Sequence, residues 1–282
     1  MIKRKDFGVI IISHGRPECE TVKTLKESGY TGKTYIVVDD EDVTLPKYIE
    51  LYGDNVHVFH KTDDFDLGDL GGTNRVGVYA RNECLKVARA KGLKYYCNVD
   101  DDMKSLNFRY NDEGHLKGKK ITNLDAVIEG ICELFDNSTI QCFGFGNAVD
   151  YIGGVQTFEN AKVNPKIMNA FFLRTDNDAI WRGRYSDDQI FLLTEAVKGS
   201  PVFKFTPVQQ LFDVWIPKRK SNLSGGAIDA YNAIGSYKMR FYLFMFFPSC
   251  VSLRQTADGF DNTIITNNAF PKILSYKAKK TR

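Results

Sequence analysis

Residues 95–99 form an apolar run that ends abruptly in Asp100, Asp101 and Asp102, and no other stretch constrains the fold as tightly. A short run without polar alternation suits a strand buried on both faces, as in a parallel sheet covered by helices. Residues 7–13 (FGVIIIS), 34–39 (TYIVVD) and 56–59 have the same character. Helical patterns separate them. Residues 17–28 carry Cys19, Val22 and Leu25 at helical spacing before Gly29, and 79–92 place Ala80, Cys84, Val87 and Ala88 on one face before Gly92. Strand alternating with helix predicts an α/β layered fold with a mainly parallel sheet. Ligands of such sheets bind beyond the carboxyl ends of the strands, where the aspartates stand.

The second half is less regular. Residues 123–135 read as an amphipathic helix, 140–144 and 166–173 as strands, and 186–196 as a helix. Ser186 takes the cap position of that last helix, and Asp187 and Asp188 sit in its first turn, where the helix dipole favours carboxylates. The Gly, Asn and Gln content of 147–164 predicts an exposed loop or hairpin. The chain has 282 residues, 43% hydrophobic and 26% charged, which excludes disorder, collagen and coiled coil. With no repeat, low-complexity linker or clear boundary, the simplest organisation is a single domain with a basic C-terminal extension. The net charge of +3 conceals a split: residues 214–282 hold 11 Lys and Arg against 3 Asp and Glu, and residues 1–213 hold 27 against 32. That asymmetry hints at a polyanionic partner for the tail.

Six cysteines without a C-x-x-C pair predict reduced thiols and a cytoplasmic setting. Four histidines, His14, His57, His60 and His115, with no H-x-x-x-H leave little material for zinc. The apolar run 9–12 is too short for a signal peptide, and 241–248 falls well below the roughly 18 residues that span a bilayer. A soluble protein without membrane contact is expected, and no obligatory protein partner is implied.

Four polar groups fall at strand mouths or helix openings. They are Ser13-His14-Gly15-Arg16-Pro17, Asp39-Asp40-Glu41-Asp42, the opening Tyr79-Ala80-Arg81-Asn82 behind Gly71-Gly72-Thr73-Asn74-Arg75, and Asn98 to Asp102. Strand alternation would put Asp100 and Asp102 on one face and Asp101 on the other. Two hard oxygen ligands there suit Mg²⁺ or Mn²⁺, which keep sites for phosphate and water. A solvated acidic turn is the plainer reading of the same three residues. Residues 63–72 (DDFDLGDLGG) lack the order of a calcium loop and read as a mobile acidic loop near the site. The aromatic run 241–247 reads as core.

Strand-S-H-x-R-P, strand-V-D-D, a helix opening A-R-N and a strand ending D-x-D together resemble the nucleotide-sugar half of GT-A glycosyltransferases. Residues 79–103 look like the A-R-N to D-x-D block of the large inverting family 2 type. Residues 169–176 with 181–189 resemble the phage and base-J-related branch, the TET-associated glycosyltransferases, proposed to glycosylate hydroxymethylated pyrimidines in DNA. The resemblance covers roughly the first two hundred residues.

It implies a GT-A, Rossmann-like mixed sheet with helices on both faces. Residues 1–213 would form the core, with 1–105 as the nucleotide-sugar half and 106–213 as the acceptor half, and 214–282 would complete the domain as lid and DNA contact. Ser13 and Arg16 would lie under the nucleotide, and Asp39 would accept from uracil or ribose. Arg75 and Asp101 would join the donor site. Arg81 would face the diphosphate or brace the aspartates. Asp100 would contact ribose or sugar and share the metal with its principal ligand, Asp102. Asp188 would be the base that takes the acceptor proton, with Asp187 orienting it; helix capping alone would also produce Ser-Asp-Asp. Lys218 and Arg219 suit a lid over the diphosphate, or a solvated loop. Phe171, Phe172, Trp181 and Arg184 would hold the acceptor. No histidine follows His115, so the late histidine ligand of many GT-A enzymes is missing.

The implied reaction is transfer of a hexose, with UDP-glucose the expected donor and Mn²⁺ or Mg²⁺ the cofactor. The implied acceptor is a hydroxymethylated pyrimidine such as 5-hydroxymethylcytosine in double-stranded DNA. The first hundred residues suit a polysaccharide, lipid or protein acceptor equally well, and an inactive nucleic-acid-binding module is a third reading.

Overall fold

The computed structural model describes residues 2–62, 64, 66–68, 76–156, 158, 161–163, 166–178, 180–200, 202–212, 236–256 and 259–269. The four apolar runs become β1 (Phe7–Ile12), β2 (Lys33–Asp39), β3 (Val56–Phe59) and β4 (Tyr95–Asp100). β1 pairs in parallel with β2 and β4, and β2 with β3, so the four carboxyl ends share one edge. Helices α1 (Glu20–Glu27), α2 (Leu45–Tyr52) and α3 (Val78–Ala90) lie in the connections. α1 starts later than its periodicity predicts because Tyr52 ties down the preceding turn. The Tyr52 hydroxyl donates to the Pro17 carbonyl (2.8 Å) and accepts from the Cys19 N–H (3.3 Å).

The second half supplies β5 (Met103–Asp112), β6 (His115–Lys120), α4 (Leu124–Asp136), β7 (Cys142–Gly146), β8 (Ala161–Val163), β9 (Ala170–Arg174), α5 (Asp187–Val197) and β10 (Val202–Phe212). Among the described residues one mixed sheet runs β3-β2-β1-β4-β9-β7-β10-β5-β6, with β8 also paired to β10. β9 is antiparallel between β4 and β7. α2, the β5–β6 hairpin and β10 were not anticipated from periodicity. α2 buries only Tyr48, too little to mark a helical stripe. β10 contains Pro207, and its pairing with β7 breaks register between Phe205 and Gln209, where a strand tolerates proline. The 147–164 loop contains short 3₁₀ turns and β8.

Successive side chains of β1 feed opposite cores, as a period of two requires. Val9 and Ile11 join Cys97, Val99, Leu124 and Ile128 on one side, and Ile10 joins Val78, Val87, Phe171 and Trp181 on the other. A third cluster packs Tyr185, Ile190 and Leu193 against Tyr242 and Leu243 of α6 (Ser236–Phe246), with Cys250 and Val251. Part of the aromatic run is therefore core, although Phe241 and Met245 are each 41% exposed. Beyond α6 lies a hairpin of β11 (Val251–Thr256) and β12 (Gly259–Ile264). All six cysteines are free and buried. No helix among the described residues is long and apolar enough to cross a membrane.

Candidate active site

β4 ends at Asp100, and residues 101–102 are a turn, so strand alternation stops there and does not aim the three carboxylates. Asp101 is 2% exposed. It accepts from the Ser13 hydroxyl and from Arg16, whose Nη2 and Nε lie 2.5 and 3.1 Å from its two oxygens. Tyr48 joins this group: its hydroxyl lies 2.6 Å from that of Ser13 and accepts from the Arg16 N–H at 3.0 Å. Burial pushes the Asp101 pKa up to about 6, against the pull of Arg16. Asp101 therefore anchors the turn after β1 from below. Its carboxylate nonetheless lines the cleft that opens beside Asp102. Asp102, by contrast, is 26% exposed, with Arg16 Nη1 at 3.6 Å. It lines a cleft of about 380 Å³ with Arg16, Glu18, Glu20, Asp101 and Lys104.

Arg81 is the hub of the site. Its three nitrogens donate to Asn98 (2.9 Å), Asp100 (2.8 Å) and Asp187 (2.9 Å). The guanidinium lies over Trp181 and Phe171, 5.0 and 5.4 Å from the ring centroids. Burial disfavours its charge, but Asp100, Asp187 and Asp188 outweigh that and raise its pKa. Of the two roles expected for Arg81, the structure displays the bracing of the aspartates. Asp100 is held on its other oxygen by Asn169 Nδ2 (2.8 Å), and the Asn169 carbonyl accepts the Asp100 N–H. Asn169 takes a left-handed φ of 65°, a conformation asparagine adopts more readily than most residues. Asn82 accepts from the Trp181 N–H (2.8 Å) and donates to its carbonyl (3.0 Å). Arg81 and Asn82 of A-R-N thus both reach the segment that leads into α5.

That segment turns at Ser186, also left-handed with φ 54°, and delivers Asp187 and Asp188 to the first turn of α5. Ser186 makes no side-chain cap bond; Asp188 instead accepts the Gln189 N–H (2.8 Å). Burial, then the charge of Asp187, pushes the Asp188 pKa up to about 6, with Lys166 opposing. Asp187 is raised as well, by burial against Arg81. Among the described residues Asp187 pairs with a guanidinium and Asp188 makes no ion pair.

At the end of β2, Asp39 is 5% exposed. His14 Nδ1 lies 2.7 Å from one oxygen and Lys61 Nζ 2.8 Å from the other. Burial raises its pKa, but these two bonds prevail and bring it down to about 2, while Asp39 raises that of His14. Both oxygens that were expected to meet a nucleoside already have partners.

The residues expected to hold the acceptor are buried. Phe172 is 3% exposed, with its ring 4.9 Å from Phe145 and 6.1 Å from Phe7. Trp181 is 1% exposed and stacks on Phe191 at 4.0 Å. β9 is buried on both faces, with Phe172 in one core and Phe171 in the other. Arg184 is buried, its N–H donating to the Tyr242 hydroxyl (3.0 Å) and to the Leu67 carbonyl (3.1 Å). The loop expected to be mobile docks here in its described part: the Asp66 carbonyl accepts the Gly183 N–H (2.9 Å). Arg75, Lys218 and Arg219 lie outside the described residues. Sequence reasoning gave no role to Asn169, Asn98 or Tyr48; an asparagine opening an apolar run was the one signal for Asn169.

No group of three or more His, Cys, Asp or Glu able to hold a metal occurs among the described residues. The donor set still suits a hard cation that keeps water and phosphate ligands. Asp102 opens to the cleft, and Asp100 accepts only one bond per oxygen from Arg81 and Asn169.

A parallel-centred α/β sheet with carboxylates gathered at the carboxyl ends of its strands sets a candidate ligand site there. Over residues 7–212 the sequence matches the TET-Associated Glycosyltransferase (TAGT) family, and the chain belongs to that family of glycosyltransferases. No curated protein matches it in sequence. Among solved structures it is similar to glucosyl-3-phosphoglycerate synthase from Mycobacterium tuberculosis in complex with Mg²⁺ and uridine diphosphate, at 8% identity over 92% of this chain and 87% of that one, with a TM-score of 0.49. GalNAc-T7 with UDP, GalNAc and Mn²⁺ gives 12% identity over 86% and 50%, with a TM-score of 0.42.

Proposed function

We propose that the protein transfers a hexose, with inversion, from a UDP-sugar such as UDP-glucose to the hydroxymethyl group of a modified pyrimidine in DNA. The carrying observation is the Arg81 fork, which ties Asp100 to Asp187 and leaves the adjacent Asp188 without an ion pair among the described residues. Asp188 takes the proton of the acceptor hydroxyl as that oxygen bonds to the sugar's anomeric carbon, while the bond from that carbon to the diphosphate oxygen breaks and the diphosphate leaves. A carboxyl pushed up to about 6 is still ionised at neutral pH and is a stronger base than an ordinary one. Asp187, fixed by Arg81, orients Asp188 and keeps its pKa high. Asp102 and Asp100 would hold Mn²⁺ or Mg²⁺, which neutralises charge on the departing diphosphate. Arg16, which lies beside Asp102, would pair with that diphosphate. The family match supports the sugar transfer, and the basic balance of residues 214–282 supports DNA as acceptor.

The test offers labelled UDP-glucose to oligonucleotides with and without hydroxymethylcytosine, using wild type and Asp188→Asn. Incorporation into the hydroxymethylated strand by wild type alone is expected. Equal labelling by both proteins removes Asp188 as base, and no labelling of either DNA removes the acceptor assignment.

A further inference from the structure

Beyond Lys104, which lines the cleft, the β5–β6 hairpin takes no part in the site above, yet it carries an open face of unusual composition. Residues 103–120 hold five Lys and Arg against two Asp and Glu, whereas the rest of residues 1–213 holds 22 against 30. The hairpin is therefore a cationic stretch within an otherwise acidic 1–213. One of its faces is closed: Arg109 donates to Gln209 (2.8 Å), lies over the Tyr151 ring (5.3 Å) and packs on Gly118, where a Cβ would come within 3.0 Å of it. The opposite face is open. The register sets Phe108 against Lys119 and Tyr110 against Lys117, and cross-strand partners project on the same side. Phe108 and Tyr110 are 38% and 44% exposed, and both lysines are exposed, Lys117 also bonding Asp112.

Lysines alone would keep an edge strand from pairing with other chains. Two exposed rings between them work against that purpose, because they leave apolar area in water. Rings and ammonium groups on one surface are what a nucleic-acid strand requires: a face for each base and a cation for each phosphate. The hairpin is also rooted at the site. β5 begins at Met103, directly after Asp102, and Phe108 lies roughly 20 Å along from that carboxylate at about 3.4 Å per residue.

We propose that this face of the hairpin holds an unpaired stretch of the acceptor DNA, its bases stacked on Phe108 and Tyr110 and its phosphates paired with Lys117 and Lys119. The proposal rests on DNA being the acceptor. It is tested by the anisotropy of a labelled single-stranded oligonucleotide over a salt series, with wild type, Lys117→Gln/Lys119→Gln and Phe108→Ala/Tyr110→Ala. Loss of two phosphate contacts flattens the plot of log affinity against log salt by about 1.4. Loss of both rings weakens binding by about 30-fold or more with the slope retained. Melting temperatures stay at the wild-type value. Wild-type affinity and slope in both variants overturn the proposal and leave the acceptor assignment standing, provided wild type still labels DNA. Weakened binding that only follows a lowered melting temperature overturns it too, as an effect on folding. A wild type that binds no oligonucleotide overturns it, and if it also labels no DNA the acceptor assignment falls separately.

Discussion

Asp188 and Asp187 are neighbours in sequence with different surroundings, and the difference comes from one arginine. Arg81 satisfies Asp187, and burial then makes the Asp188 proton harder to lose. Because the base works deprotonated, transfer should rise with pH through an apparent midpoint near 6, where an ordinary aspartate would place it near 4. A rate profile under donor saturation measures this. Arg81→Lys should lower transfer at least 100-fold, since one ammonium cannot serve three acceptors in a plane, and should cost about 3 kcal/mol of stability for the carboxylates left behind. Urea unfolding reads the second effect. At Asp39 the pKa is depressed from 3.8 to about 2. A depressed carboxyl contributes stability above its unfolded pKa and loses it as pH falls through the folded value. Asp39→Asn should thus cost on the order of 2 kcal/mol at pH 5 and almost nothing near pH 1.5. An equal cost at both pH values would count against the His14 and Lys61 pairing.

At the scale of elements, β1, β2, β3, β4 and α3 were legible because each is a continuous apolar run or a clean helical stripe between glycine stops. α2 and β10 were not. A helix with one buried residue has no stripe, and a strand broken by proline has no simple period. The start of α5 shows what a sequence pattern conceals. Ser-Asp-Asp reads as a cap, but Ser186 is left-handed and makes no cap bond, so the turn serves to place two carboxylates beside Arg81. Ser186→Gly should stabilise the protein by about 1 kcal/mol, since glycine adopts this φ without strain, and should leave transfer intact. Thermal unfolding checks it. A loss of activity with a gain in stability would mean that the serine hydroxyl itself has work at the site.

For the whole molecule, the charge split makes the ionic strength response informative. Transfer to DNA should fall steeply as salt rises, and deleting residues 271–282, which carry five Lys and Arg and no acid, should flatten that response. A flat salt profile in wild type would remove the tail's proposed role. The cut belongs there rather than after Asp213, because Tyr242 and Leu243 are fully buried against α5. The amino-acid sequence by itself determined the class of fold and the strand mouths where polar residues collect, since both follow from local apolar period and from residues a few positions apart. It also carried the residues by which the family is recognised. Only the tertiary structure decided which carboxylates are braced and which are open. Asp101 and Asp102 are adjacent in the chain and line the same cleft, yet one is bonded to Ser13 and Arg16 and 2% exposed while the other is 26% exposed. Phe172 and Trp181 are expected acceptor contacts, and the fold packs one against Phe145 and the other against Phe191 of α5. Burial depends on what a distant segment places above a residue, and no local period records that.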